Sequence, residues 1–284
     1  MFSMDTEAAY HQITENIKDG HEELVYPQIR QILDYTGKEP MEYVKCASIL
    51  KSIDDEDDCQ QLLDELLAMV DGSDEEGKVQ IASSLRRLGR GEDSYDILKD
   101  IPDADPYEYA MSLYASEEYE SALSVVLDKQ IRTVPGRVLL CDTYCALGEF
   151  TKAMAEAQSL LDEEGPVYDV LVNMANVMFR KGDGRGAAKF VKGYLKTDKQ
   201  NFDYLAACAY VMRITGKIPA AVNYSVRVVN KDQTHIGAME TLALCHVEKK
   251  SFMNAKIIAG RINEVDPGNP AVVRIIDACR ILSS

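Results

Sequence analysis

NMANVMFRKGDGRGAAKF, residues 173–190, carries the pattern from which the architecture of the chain follows. Small and apolar residues recur through its first half at helical spacing, and the second half resumes the pattern at Ala187, Ala188 and Phe190. Between them, Lys181 to Gly186 is glycine-rich and charged. Such a link supports a tight reversal, so the pattern predicts two antiparallel helices joined by a short turn. Ala175 and Ala187 are the small residues that let the two axes approach, where a pair of leucines would hold them apart.

The same unit recurs along the chain. Ala153, Ala187, Ala221 and Ala255 stand 34 residues apart, and Cys141, Ala175, Ala209 and Ala243 precede them by 12. Tyr144, Met178, Met212 and His246 form a third series, while Gly148, Gly182, Gly216 and Lys250 mark the turns. One unit alone cannot bury its apolar face, so a fixed period of this size predicts stacked repeats. Regular units start at Val134, Tyr168, Phe202 and Ile236, and looser ones at Thr6, Pro40, Glu75 and Asp103. This divides one continuous array into an acidic, less regular part (1–133), four regular repeats (134–269) and a capping helix (270–284). Asn269 and Pro270 suit the N-cap and first residue of that helix, and Val272, Val273, Ile276 and Cys279 give it an apolar stripe. Distant units of such an array are expected to make no contact with the cap. Pro27 should kink the second helix of the first unit or delay its start.

On these residues the chain resembles the tetratricopeptide repeat family. The match is best over 173–190 and in the last unit at Ala243, Phe252, Ala255 and Pro267, and it extends over essentially the whole chain. Tryptophan is absent, and the proline that closes each unit stands only at Pro267. The resemblance implies an all-α fold, a right-handed α-α superhelical solenoid of about eight helix-turn-helix repeats, with the cap at its C-terminal end. It also implies a concave groove, lined by the first helices, that holds a segment of a partner protein.

Carried over slot by slot, that groove would present Asp142, Asn176, Phe179, Arg180, Tyr210 and Arg213, with Val138, Cys145, Val172, Ala206 and Glu240 around them. Further back it would present Tyr107, Tyr114, Arg86 and Arg87. Asn176 can hydrogen-bond a partner's backbone, Arg180 and Arg213 can meet carboxylates, and Phe179 and Tyr210 offer apolar surface. Family members that hold the acidic tails of heat-shock chaperones use a clamp of Lys, Asn and Arg. Here Val172 stands where that clamp wants lysine, so the activity is not expected.

Composition narrows the function. Of 284 residues, 46% are hydrophobic, yet the apolar run Tyr204 to Met212 is about half the ~18 residues a membrane helix needs. The N-terminal MFSMDTEAAY is acidic, with no basic leader or apolar core, which points to a cytoplasmic protein. Seven cysteines without a paired framework fit a reducing compartment. Net charge is −16, divided as −19 over residues 1–133 and +3 over the rest, so nucleic acid is disfavoured as a partner. The basic stripe Arg185, Lys189, Lys192 and Lys196, within 180–199, supports the alternatives: an RNA-binding helical-repeat protein, or self-association through the acidic half of another copy.

No chemistry stands out beside this. Cys141 and Cys145 occupy packing slots, and the four histidines are scattered. Residues 181–186 lack the Gly-Lys-Ser/Thr ending of a phosphate loop. The acidic run Asp54 to Asp58 lacks the glycine and closing glutamate of a calcium loop and suits a helix N-terminus instead. The expectation is a protein–protein interaction scaffold or adaptor, not an enzyme, with no catalytic, metal or cofactor residues.

Overall fold

A computed structural model describes residues 6–37 and 39–283; the first five residues of the acidic N-terminal stretch lie outside it. The described residues form seventeen α-helices and no strand. They pair as α1 (Thr6–Asp19) with α2 (Val25–Thr36), α3 (Pro40–Ser52) with α4 (Glu56–Leu67), α5 (Glu75–Arg87) with α6 (Gly91–Leu98), and α7 (Pro106–Ala115) with α8 (Tyr119–Asp128). The longer pairs follow: α9 (Val134–Ala146) with α10 (Phe150–Glu164), α11 (Tyr168–Arg180) with α12 (Gly184–Thr197), α13 (Phe202–Ile214) with α14 (Ile218–Val229), and α15 (Ile236–Glu248) with α16 (Phe252–Val265). The last helix, α17 (Pro270–Ser283), stands alone.

Local chemistry sets the helix starts. Asp55, Asp74, Asp105, Thr133 and Asn201 each accept a backbone N–H from the first turn that follows, as Asp74 does from Gly77 at 2.9 Å. Asn269 does the same for Ala271 at 2.9 Å and opens α17 on Pro270. The fourth unit begins its helix at Pro106 and not at Asp103, because Asp105 is the capping residue. Around Pro27 a short 3-10 turn, Glu22–Leu24, delays α2 until Val25, which puts the proline in the first turn where its missing N–H costs least. Inside the sixth unit Gly182 turns the chain at φ +95°, and Lys250 fills the corresponding slot of the eighth at φ +58°.

The small residues are where the helices cross. Cys141, Ala153, Ala175, Ala187, Ala209, Ala221, Ala243 and Ala255 are all completely buried. All seven cysteines are buried and free, acting as small apolar side chains. Each fully buried Leu, Ile or Val between units is worth about 1.5–3 kcal/mol.

The array does not end as an open stack. α17 covers the last unit with Ala271, Val272, Ile275 and Ile276, but its Val273 belongs to the core of the N-terminal units. Helices α16 and α17 both pack on α3, so the second unit meets the last and the solenoid closes on itself. Gly268 makes the junction close: it sits at φ +77°, and a Cβ there would strike Val44. Its N–H donates to Ser48 Oγ at 3.0 Å, and Ser48 in turn donates to Asn263, a buried polar knot spanning the seam. Around the knot Asp54 accepts from Lys256 Nζ at 2.9 Å and Arg280 Nη2 at 2.6 Å, and Glu56 accepts from Arg280 at 2.7 Å. Lys51, 7% exposed at its side chain, reaches Asp277 at 3.3 Å, and Arg87 reaches Asp266 at 3.4 Å.

The closure corrects the expectation that distant units make no contact with the cap. The cap touches distant units as well as its neighbours. It also leaves Ile257 and Val265 uncovered, at 56% and 41% exposure, while Ile258 and Ile262 are buried.

Candidate functional site: the concave groove

The first helices of four successive units, α7, α9, α11 and α13, wall a cavity of about 440 Å³. Tyr107, Met111 and Tyr114 come from α7, Val138 and Asp142 from α9, Val172 and Asn176 from α11, and Tyr210 from α13. Because one period separates equivalent slots, side chains 34 apart meet across neighbouring helices. Asn176 Nδ2 donates to Asp142 at 3.4 Å, and Tyr210 Oη donates to Asn176 Oδ1 at 3.5 Å. Arg274 of α17 extends the ladder, donating to Glu240 at 2.6 Å.

The groove arginines are already engaged. Arg180 donates to the Asp142 carbonyl at 3.3 Å and stands 3.7 Å from its carboxylate. Arg213 pairs with Glu248 at 3.2 Å and lies over the Tyr210 ring. Arg86 is held by Glu108 at 2.7 Å, and both side chains are largely buried. Arg87 is not in the groove but at the seam with Asp266. Phe179 is 38% exposed, beyond the cavity lining. Cys145 and Ala206 are buried and belong to packing. The structure thus brings Tyr107, Tyr114, Asp142, Asn176 and Tyr210 around one space, with Arg180 at its edge.

Two polar lining residues were missed in the sequence, Asp169 and Asn173, along with the apolar Val134, Pro135 and Leu139. The signal of the polar two was present: Asp169, Asn173, Asn176 and Arg180 follow steps of four, three and four, one face of a helix. Asn173 is 6% exposed, and neither its Nδ2 nor its Oδ1 has an oxygen or nitrogen partner in bonding geometry. The weakly polar Cys141 thiol beside it is pushed up to about 12 by burial, against an opposing hydrogen bond from the Asn173 side chain. Burial also raises the carboxyl pKa of Asp142, against the opposing effects of Arg180 and Asn176. At Asp169 burial and then the Asp203 charge raise it, with His235 opposing.

Next to Asp169, the Tyr168 ring meets the His235 ring edge-on at 5.0 Å and lies directly on Gly237, two units ahead. The basic stripe Arg185, Lys189, Lys192 and Lys196 is exposed on α12, a second helix. A larger groove, about 750 Å³, opens at the seam between α1, α3 and α16, with Met253 and Ile257 on its rim. Among the described residues no three His, Cys, Asp or Glu side chains gather as metal ligands, and no helix is long and apolar enough to cross a membrane.

The helix pairs and their period make this a tetratricopeptide-like helical-repeat solenoid. No protein-family model and no curated protein sequence matches the chain. Solved structures do. A tetratricopeptide repeat protein from Parabacteroides merdae matches with TM-score 0.48 and 13% identity, over 84% of this chain and 98% of that one. TTC0263 of Thermus thermophilus matches at TM-score 0.45 and 16% identity, over 61% and 98%. The TPR2AB domain of yeast Sti1, solved as a pHSP90 complex, matches at 0.33 and 15%, over 74% and 98%. At these identities the likeness is one of helix-pair architecture.

Proposed function

We propose that this protein is an interaction scaffold that holds an extended segment of a partner protein against α7, α9, α11 and α13. The observation that carries the reading is the cavity itself: the first helices of four successive units wall it mainly with aromatic and aliphatic side chains, among which Asn173 and Asn176 stand. Asn176 and Tyr210 add polar groups along the same line, and Tyr107 and Tyr114 add the aromatic surface on which interface anchors commonly rest. With Arg180 and Arg213 engaged inside the chain, the groove does not offer the free cations that an acidic tail would need.

The test is capture of partners from native lysate by wild-type protein, by Val172→Glu in the groove, and by Arg185→Glu/Lys189→Glu on the outer face. Loss of a protein partner with Val172→Glu alone supports the groove. Retention with Val172→Glu and loss with the outer variant or with nuclease would replace this reading by nucleic-acid binding.

A further inference from the structure

At the seam the chain covers a face that the regular repeats leave open. Counted from the unit starts Pro40 and Tyr168, Val44, Ser48 and Lys51 of α3 stand in the slots of Val172, Asn176 and Phe179 of α11, so they belong to the concave face. On α11 that face is accessible, with Val172 and Asn176 half-buried and Phe179 38% exposed. On α3 the same slots are shut: Val44, Ser48 and Lys51 are 1%, 0% and 5% exposed. The cover is the corner where α16 passes into α17. Gly268 lies on Val44, Ser48 bonds Asn263 and the Gly268 N–H, and Asp277 meets Lys51. One unit on, Arg87 stands in the slot of Arg180 and is met by Asp266 of the same corner. The concave face of the second and third units is thus a binding site already filled, and its occupant is the chain's own C-terminal corner.

Hydrogen bonds and ion pairs make up much of this joint, with Arg280 on Asp54 and Glu56 and Lys256 on Asp54. A small rotation at each unit interface, summed around the array, lifts the corner from α3 and leaves Ser48 and Arg87 without these partners. A second copy carries the identical corner, so the contacts it can make in trans are those already made in cis. We propose that α3 takes the C-terminal corner of a second copy of this chain, each copy closing on the other, to give a reciprocally exchanged dimer. The two joints fill both sites at once about a two-fold axis, so association stops at two chains.

Two full-length variants test the exchange. Asp54→Lys/Glu56→Lys gives the acceptor side of the joint the charge of Lys256 and Arg280, and Lys256→Glu/Arg280→Glu gives the corner the charge of Asp54 and Glu56. Lysine already sits at φ +58° at Lys250, so it suits Asp54 at φ +68°. Each variant opposes like charges at the joint, in cis and with another copy of itself, whereas the mixed pair makes one reversed joint and one native joint. Alone, each should have the mass of a single chain by size-exclusion chromatography with light scattering, and amide hydrogens in α3 and α17 should exchange faster than in wild type. Mixed in equal amounts, the two should form a two-chain particle at least tenfold more tightly than either associates with itself, and protection should return to α3 and α17. A mixture that keeps the mass of one chain, or associates no better than its components, overturns the proposal. So does a two-chain particle in which α3 and α17 stay unprotected, because the contact then lies elsewhere. Where circular dichroism shows a doubly changed chain to be unfolded, Asp54→Lys and Arg280→Glu make the same pair with one change each.

Discussion

Arg280 of the last helix and Asp54 of the second unit meet at 2.6 Å across 226 residues of chain. Asp54 sits at φ +68°, a conformation asparagine also tolerates, and it receives Lys256 as well. Asp54→Asn therefore removes the charge with little backbone penalty. Exposed ion pairs contribute about 0–1 kcal/mol each, so Asp54→Asn or Arg280→Ala should lower Tm by roughly 2–4 °C. In 1 M salt, where screening acts within about 3 Å, the difference should shrink; a difference of the same size in both conditions would mean that packing and not charge is lost.

The same seam should fail in acid. Burial pushes the Glu56 carboxyl up, but hydrogen bonds from Gln60, Arg280 and Lys51 outweigh this and hold it at about 2. A folded value below the unfolded one of ~4.3 gives a stabilisation that is full above that pH and drains as pH falls toward 2. Glu56→Gln should flatten the stability profile across this window, as read by urea unfolding at successive pH values.

Asp142 carries the opposite sign. Its carboxyl is raised, by burial first, so ionisation disfavours the folded state and stability should rise as pH falls through its folded value. Asp142→Asn keeps an oxygen for Asn176 and should melt up to about 2 °C above wild type at neutral pH, with the gap closing in acid. A lower melting point at neutral pH would show that its contacts with Asn176 and Arg180 outweigh its desolvation.

Gly237 is the second residue of α15, where alanine would ordinarily be favoured over glycine, by less than the ~0.5–1 kcal/mol of a helix interior. Its Cβ would run into the Tyr168 ring, so Gly237→Ala should instead destabilise by ~1–3 kcal/mol. Placed in a Tyr168→Ala background the same change should become stabilising, and a thermodynamic cycle measures the coupling. Additive effects would show that the two residues do not press on each other.

Deleting residues 270–284 removes Ala271, Val272, Ile275 and Ile276 from the last unit and Val273 from the N-terminal core. Hydrogen exchange should speed up in α15 and α16, and also in α3 and α5, which are remote in sequence but adjacent at the seam. Unchanged protection in α3 and α5 would show that the closure adds nothing to their stability.

The repeat was readable because the spacing of small residues in sequence is the spacing of helix crossings in space. Ala175 and Ala187 announced a contact that needs no knowledge of the rest of the chain. The seam was not readable in this way. Ser48, Asn263 and Gly268 meet only because curvature accumulates over the intervening units, and no local pattern records that sum. The groove lay between these cases. Asp142, Asn176 and Tyr210 follow from the period, but the pairing of Arg180 and Arg213 depends on side-chain reach between units, and it changes the charge the groove offers.

An open solenoid is a spring, in which each interface can hinge a little without consulting the others. Joining the second unit to the last helix bends the spring into a hoop, and a hoop has a fixed circumference. The spacing of α7, α9, α11 and α13 cannot then widen unless another joint narrows or the seam at Gly268 parts. Were a segment held in the cavity as proposed, it would load Asp54 and Arg280 across the seam as hoop stress, tying the grip of the cavity to the integrity of the seam.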